Sequence, residues 1–222
     1  MKIDQKRARE IMGKNFFGVE EWSVLYDVKF SQQQLRQAAE FPWGEDILNS
    51  TCPFCGKVVK DCHFAFLGLD RINGEPLTIE KWCKLHPKTD TGQLYTMHPS
   101  DIESYRFSDF FSNTTMSFRW YLLHKSIIPV SRDETYNDKQ LAMLTADYES
   151  PSAVTELTKN ILVFRRTCDL VNLDVLARCA ADKWGDHTVV GIAHYNRKIA
   201  FMIKEYCCYS PFFDVGMAAS KL

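Results

Sequence analysis

The chain has 222 residues, 45% hydrophobic and 25% charged, with a formal net charge of −1 at pH 7. That length supports one sizeable core or two small units packed together, and that balance excludes a global electrostatic attraction to nucleic acid or a membrane surface. No apolar run approaches the ~18–20 residues of a membrane span, and the start, MKIDQKRAREIMGK, has charges with no apolar core behind them, unlike a secretory signal.

In chain order, residues 6–12 read as a short helix stopped at Gly13, which suits the left-handed backbone after a helix end. Residues 19–28 place Val19, Trp22, Leu25 and Tyr26 on one helical face. Ser31 to Gln34 is a capping box opening a helix to about Glu40, which Pro42 ends. Residues 58–69 read as one strand, and Asn73-Gly74 as a tight hairpin turn. Thr78 caps a helix through Leu85, and Ser100 to Glu103 is a second capping box, for a helix to about Phe111. Residues 114–123 read as a strand and residues 139–144 as a helix. In residues 151–166, Ser150 is the expected N-cap, Pro151 sits in the first turn, and Val154, Leu157, Ile161 and Phe164 form a core stripe. Residues 174–180, 187–195 and 198–206 read as strands, with Asn196-Arg197 as the turn of a closing hairpin.

The fold class expected is therefore α+β: a helical N-terminal part, short antiparallel strands in the middle, and a C-terminal helix followed by a small antiparallel meander. Residues 1–222 read as a single compact unit, with a loop near 133–138 that could divide it into lobes 1–132 and 139–222. The stretches RAREIMGKNFFGVEE (7–21), HFAFLGLDRINGEPLTI (63–79), RWYLL (119–123), ARCAADKWGDHTVVG (177–191) and GMAASK (216–221) resemble a group of bacterial hypothetical proteins. The resemblance spans nearly the whole length and implies one complete unit. The group has no assigned activity, so it implies no site residue.

Without a secretory signal the thiols are expected to be reduced and the protein cytoplasmic, so eight cysteines read as ligands, core residues or nucleophiles rather than disulfides. The most specific chemical pattern is Cys52-Pro53-Phe54-Cys55-Gly56-Lys57, the spacing of a zinc knuckle. Two thiolates then lie one tight turn apart, with Gly56 free to take the left-handed backbone. A closed site needs two more ligands. Cys83 and His86 form a second pair at the same spacing, and residues i and i+3 share a helix face. The expected metal set is Cys52, Cys55, Cys83 and His86, with zinc as the cofactor. Cys62 and His63 are competing ligands, of which adjacent strand geometry admits only one. The bland alternative leaves Cys52 and Cys55 on a turn, with Cys62 and Cys83 as small buried hydrophobes.

Other chemistries are less specified. A cysteine hydrolase could be assembled from Cys62 with His86 or His98 and Asp61 or Asp70, although no local nucleophile signature marks it. Asp182, Asp186 and His187 could hold a hard cation or form a polar loop, and Trp184, Tyr195, Tyr206 and Tyr209 could form a binding face or pack as core. The five basic residues in 1–14 read as a solvated helix face. The function expected is a non-catalytic binding or interaction protein with a structural zinc site and an unidentified protein partner. The alternatives are a small cysteine–histidine hydrolase and, third, a nucleic-acid-binding protein, which the charge balance disfavours.

Overall fold

The computed structural model describes residues 2–87, 95–96, 108–132, 144, 147–181, 187–195, 198–205 and 214–222. Helices and mixed, mostly antiparallel strands form an α+β fold around two five-stranded sheets. The first sheet runs Phe16–Phe17, His63–Leu67, Trp120–His124, Ser220–Lys221, Tyr148–Glu149 across its width. The second runs Asp214–Met217, Val175–Ala181, His187–Tyr195, Lys198–Glu205, Tyr95–Thr96. Within it Val175–Ala181, His187–Tyr195 and Lys198–Glu205 make the expected antiparallel meander. Among the described residues no helix is long and apolar enough to cross a membrane.

Several elements follow from local chemistry. The helix Gln5–Met12 starts where the Asp4 side chain accepts from the Arg7 amide and stops at Gly13. The helix Gln32–Ala39 opens on the Ser31–Gln34 capping box, and Ile79–Leu85 on Thr78, whose hydroxyl accepts from the Lys81 amide. Asn73 and Gly74, both at positive φ, turn the hairpin Arg71–Ile72 to Glu75–Pro76.

Three boundaries differ from the sequence reading. Residues 58–69 are not one strand: Val59–Cys62 is a single helical turn and the strand is His63–Leu67. Residues 114–119 stay outside the strand Trp120–His124. The long helix is Ala153–Thr167, and its N-cap is Ser152, whose hydroxyl accepts from the Thr155 amide, rather than Ser150. Pro151 thus precedes the helix, and its carbonyl accepts from the Ala180 amide of the second sheet. The capping box at Ser100, the helix at 139–144, the loop near 133–138 and the Asn196-Arg197 turn lie outside the described residues.

The long helix is the centre of the molecule. It packs against all three meander strands and against His63–Leu67 of the first sheet. Residues 153–163 are therefore buried all round, and not along the expected stripe alone. Burial of Glu156 and Lys159 is made tolerable by pairing: Lys159 Nζ lies 2.5 Å from Glu156 Oε1, which also accepts from Asn172 Nδ2 at 3.1 Å. The N-terminal third is tied in by indoles that bury their rings and satisfy their N–H groups. Trp22 donates to the Leu67 carbonyl, Trp82 to Thr158 of the long helix, and Trp120 to the Ala38 carbonyl. One apolar cluster consequently includes residues from Ala8 to Ile203.

Candidate metal centre

The two central strands of the first sheet, His63–Leu67 and Trp120–His124, pair antiparallel with His63 opposite His124. Every residue of both strands is buried. This register decides the site, because it places the end of one strand beside the segment that precedes the other.

That preceding segment is the Cys52–Lys57 knuckle. The Cys52 amide donates to the Lys57 carbonyl at 2.7 Å and the Gly56 amide to the Cys52 carbonyl at 3.0 Å. Gly56 sits at φ 71°, where a side chain would be strained. Thr51 and Val58 bridge across the base. The amides of Phe54 and Cys55 point back at the Cys52 sulfur, as a metal-bound thiolate requires. Val58 then begins the helical turn that ends in Cys62, and the chain passes directly into the strand at His63. The alternation that would send Cys62 and His63 to opposite faces does not hold across this helix-to-strand junction. Cys62 turns in toward the knuckle, its sulfur 3.3 Å from the Val58 carbonyl.

Four ligand atoms converge there: the sulfurs of Cys52, Cys55 and Cys62 and a ring nitrogen of His124, all within 4.8 Å of one another. In a tetrahedral site with ~2.3 Å metal–sulfur and ~2.0 Å metal–nitrogen bonds the ligand atoms stand roughly 3.5–3.8 Å apart. A small contraction would therefore complete the shell, and the arrangement is compatible with a metal site. His124 is held in the required tautomer. Its Nδ1–H donates to the Ser126 carbonyl at 2.7 Å, which leaves the Nε2 lone pair free, 3.5 Å from Cys55 Sγ. Its backbone is fixed as well, the amide by Ala219 and the carbonyl by Lys159 Nζ at 3.3 Å. Phe54 closes the knuckle side, packing edge-on to Tyr148 and His124.

Cys52, Cys62 and His124 are buried, while Cys55 is partly exposed. Burial pushes the Cys52 thiol up, against the opposing pull of the Phe54 and Cys55 amides. Cys62 is pushed up by burial and further by Cys52 and Cys55. Burial holds His124 down to about 4, and the charges of Lys159, Lys125 and Lys57 act in the same direction. Three sulfurs packed so closely need a cation before they can all be thiolates. A divalent ion with three thiolates and a neutral imidazole carries a net charge of −1, which a surround of lysines favours.

Of the residues expected from sequence, the structure brings Cys52 and Cys55 into this group and leaves Cys83 and His86 out of it. Cys83 is buried on the Ile79–Leu85 helix. His86, at that helix's C-terminal end, bonds through Nε2 to the Tyr26 hydroxyl at 3.0 Å and packs on Trp82. Cys62 was a competing ligand in the sequence, but His124 was missed. The available signals were a third cysteine just past the knuckle and a histidine ending an apolar strand. Of the hydrolase residues, Cys62 meets His63, His86 bonds Tyr26 and Asp61 and Asp70 are exposed, while His98 lies outside the described residues. So do Asp182, Trp184, Asp186, Tyr206 and Tyr209.

His86 gives a pH test independent of the metal ligands. Burial, with the Arg165 charge adding to it, lowers its pKa to about 4, against ~6.5 in an unfolded chain. The unfolded state therefore binds more protons between these values, so stability attributable to His86 is full above pH ~6.5 and is lost as pH falls toward 4. Urea midpoints at pH 7 and pH 4.5 should converge more closely in His86→Gln than in the parent. An unchanged difference would show that His86 does not contribute to acid lability.

Comparison with protein-family models, curated proteins and solved structures finds no match to this chain.

Proposed function

We propose that this is a non-catalytic binding or interaction protein whose fold is braced by one structural zinc ion on Cys52, Cys55, Cys62 and His124. The observation that carries this reading is the convergence of four ligand atoms within 4.8 Å, with His124 Nδ1 already tied to Ser126. Sulfur-rich donors favour zinc among the available divalent ions. Four protein ligands leave no open position for substrate, which characterises a structural rather than a catalytic site. The ion would cross-link the knuckle to the central strand pair, joining residues far apart in sequence. Reduced thiols are in keeping with a cytoplasmic setting. The partner is another protein, since the net charge of −1 gives nucleic acid little to bind.

One contact favours a second reading. Cys55, the partly exposed thiol, faces His124 Nε2 at 3.5 Å, and His124 is oriented by the Ser126 carbonyl. This is the skeleton of a cysteine nucleophile and its base. Metal content and thiol alkylation separate the two. Stoichiometric zinc with Cys52, Cys55 and Cys62 protected until a chelator is added supports the structural centre. Metal-free protein with one rapidly alkylated thiol at Cys55 would replace it with the hydrolase.

A further inference from the structure

His63 is fully buried beside the centre without being one of its four ligands. Each of its ring nitrogens has a side-chain partner, and the Val59 carbonyl also accepts from the ring. Nδ1 lies 3.3 Å from Cys62 Sγ, and Nε2 lies 3.1 Å from the Tyr148 hydroxyl. Tyr148 is itself buried, on the far edge strand of the same sheet, and Phe54 of the knuckle packs against its ring at 4.7 Å. The ring of His63 stands edge-on to His124, with centroids 5.2 Å apart.

We propose that His63 and Tyr148 are a positioning pair that holds Cys62 as a metal-bound thiolate; the proposal rests on the metal reading above. The direction of each hydrogen bond is then forced. A thiolate on the metal can only accept, so His63 Nδ1 must carry the proton and donate to it. A neutral imidazole has one N–H, so Nε2 must accept. A phenol hydroxyl can supply the donor, and Tyr148 is placed to do so. The phenol thus supports this tautomer, together with the Val59 carbonyl, and the tautomer withdraws charge from the sulfur and aims its remaining lone pairs at the ion. His63 does for Cys62 what the Ser126 carbonyl does for His124 and the Phe54 and Cys55 amides do for Cys52. Outer-shell partners of this kind fix ligand orientation and tune the metal's affinity.

The test uses the full chain, zinc affinity by chelator competition, and the thiolate-to-metal band of the cobalt-loaded protein. His63→Leu removes the donor: affinity should fall about 10–100-fold, and the band should move to lower energy as the sulfur lone pairs rise. His63→Asn returns an N–H near the Nδ1 position and should recover both to within a few-fold of the parent. Tyr148→Phe, which removes the donor to Nε2, should give an intermediate loss with the same spectral direction. If His63→Leu does not fold, Tyr148→Phe carries the decision alone. A parent that binds one cobalt ion, with variants of unchanged affinity and unshifted band, overturns the positioning pair and leaves the metal centre standing. A parent that takes up neither zinc nor cobalt overturns the centre itself, and the pair with it.

Discussion

Cys62→Ser is expected to lose stoichiometric zinc and to destabilise the protein by more than about 4 kcal/mol, a size confined to a few mechanisms that include metal loss. Cys62 reaches the site from the helical turn at Val59–Cys62, while Cys52 and Cys55 come from the knuckle and His124 from the end of a strand. Removing any one of them leaves the ion under-coordinated and removes its cross-link between the three segments. Cys52→Ser should behave alike, and the double variant should be scarcely worse than either, because the second substitution removes a ligand from a site already emptied. Cys83→Ser provides the contrast. It should keep the metal and cost only the ~0.5–3 kcal/mol of an ordinary buried substitution. Equal metal loss from Cys83→Ser, or simple additivity of Cys52→Ser and Cys62→Ser, would contradict the assignment.

Lys159→Met should be the most damaging change away from the ligands. Lys159 and Glu156 are fully buried on the central helix, and Lys159 Nζ also donates to the carbonyls of His124 and Lys125. Burial pushes the Glu156 carboxyl up, and the Lys159 charge and hydrogen bond, with Asn172, oppose it. Without the ammonium, Glu156 is left buried with a weak partner, and breaking such a pair from one side costs about 3–5 kcal/mol. Removing both charges, with Glu156→Leu beside Lys159→Met, should recover part of that loss in a urea-denaturation cycle. A single Lys159→Met effect below about 0.5 kcal/mol, the level of surface substitutions, would show that the pair contributes nothing. Because the same ammonium grips the backbone of His124, zinc affinity should weaken in the single variant and the double alike.

What the sequence disclosed divides along the range of the interactions involved. Gly13 ending a helix, the Ser31–Gln34 box, the Thr78 cap and the Asn73-Gly74 turn depend on neighbours within four residues, and all are found where expected. Half of the site was legible for the same reason, since the Cys52–Cys55 spacing is itself a local geometry. The other half depends on the register that sets His63 against His124 across two strands far apart in the chain. No spacing rule encodes that register. Cys83 and His86 satisfied a spacing rule, yet the core claimed them: Trp82, one residue before Cys83, inserts beside Trp22, and His86 is drawn to Tyr26. The central helix teaches a related point. Glu156 and Lys159 look like a solvent face in one dimension, and the partners that make their burial tolerable, Asn172 and the His124 and Lys125 carbonyls, lie on other elements.

The most direct measurement is X-ray absorption at the zinc edge on protein purified with neither added metal nor chelator. The account predicts one zinc per chain with three sulfurs at ~2.3 Å and one nitrogen at ~2.0 Å, a shell retained in a Cys83→Ser, His86→Gln double variant and lost in Cys62→Ser. Absence of stoichiometric zinc, or a shell that survives Cys62→Ser and is lost with Cys83 and His86, would contradict it.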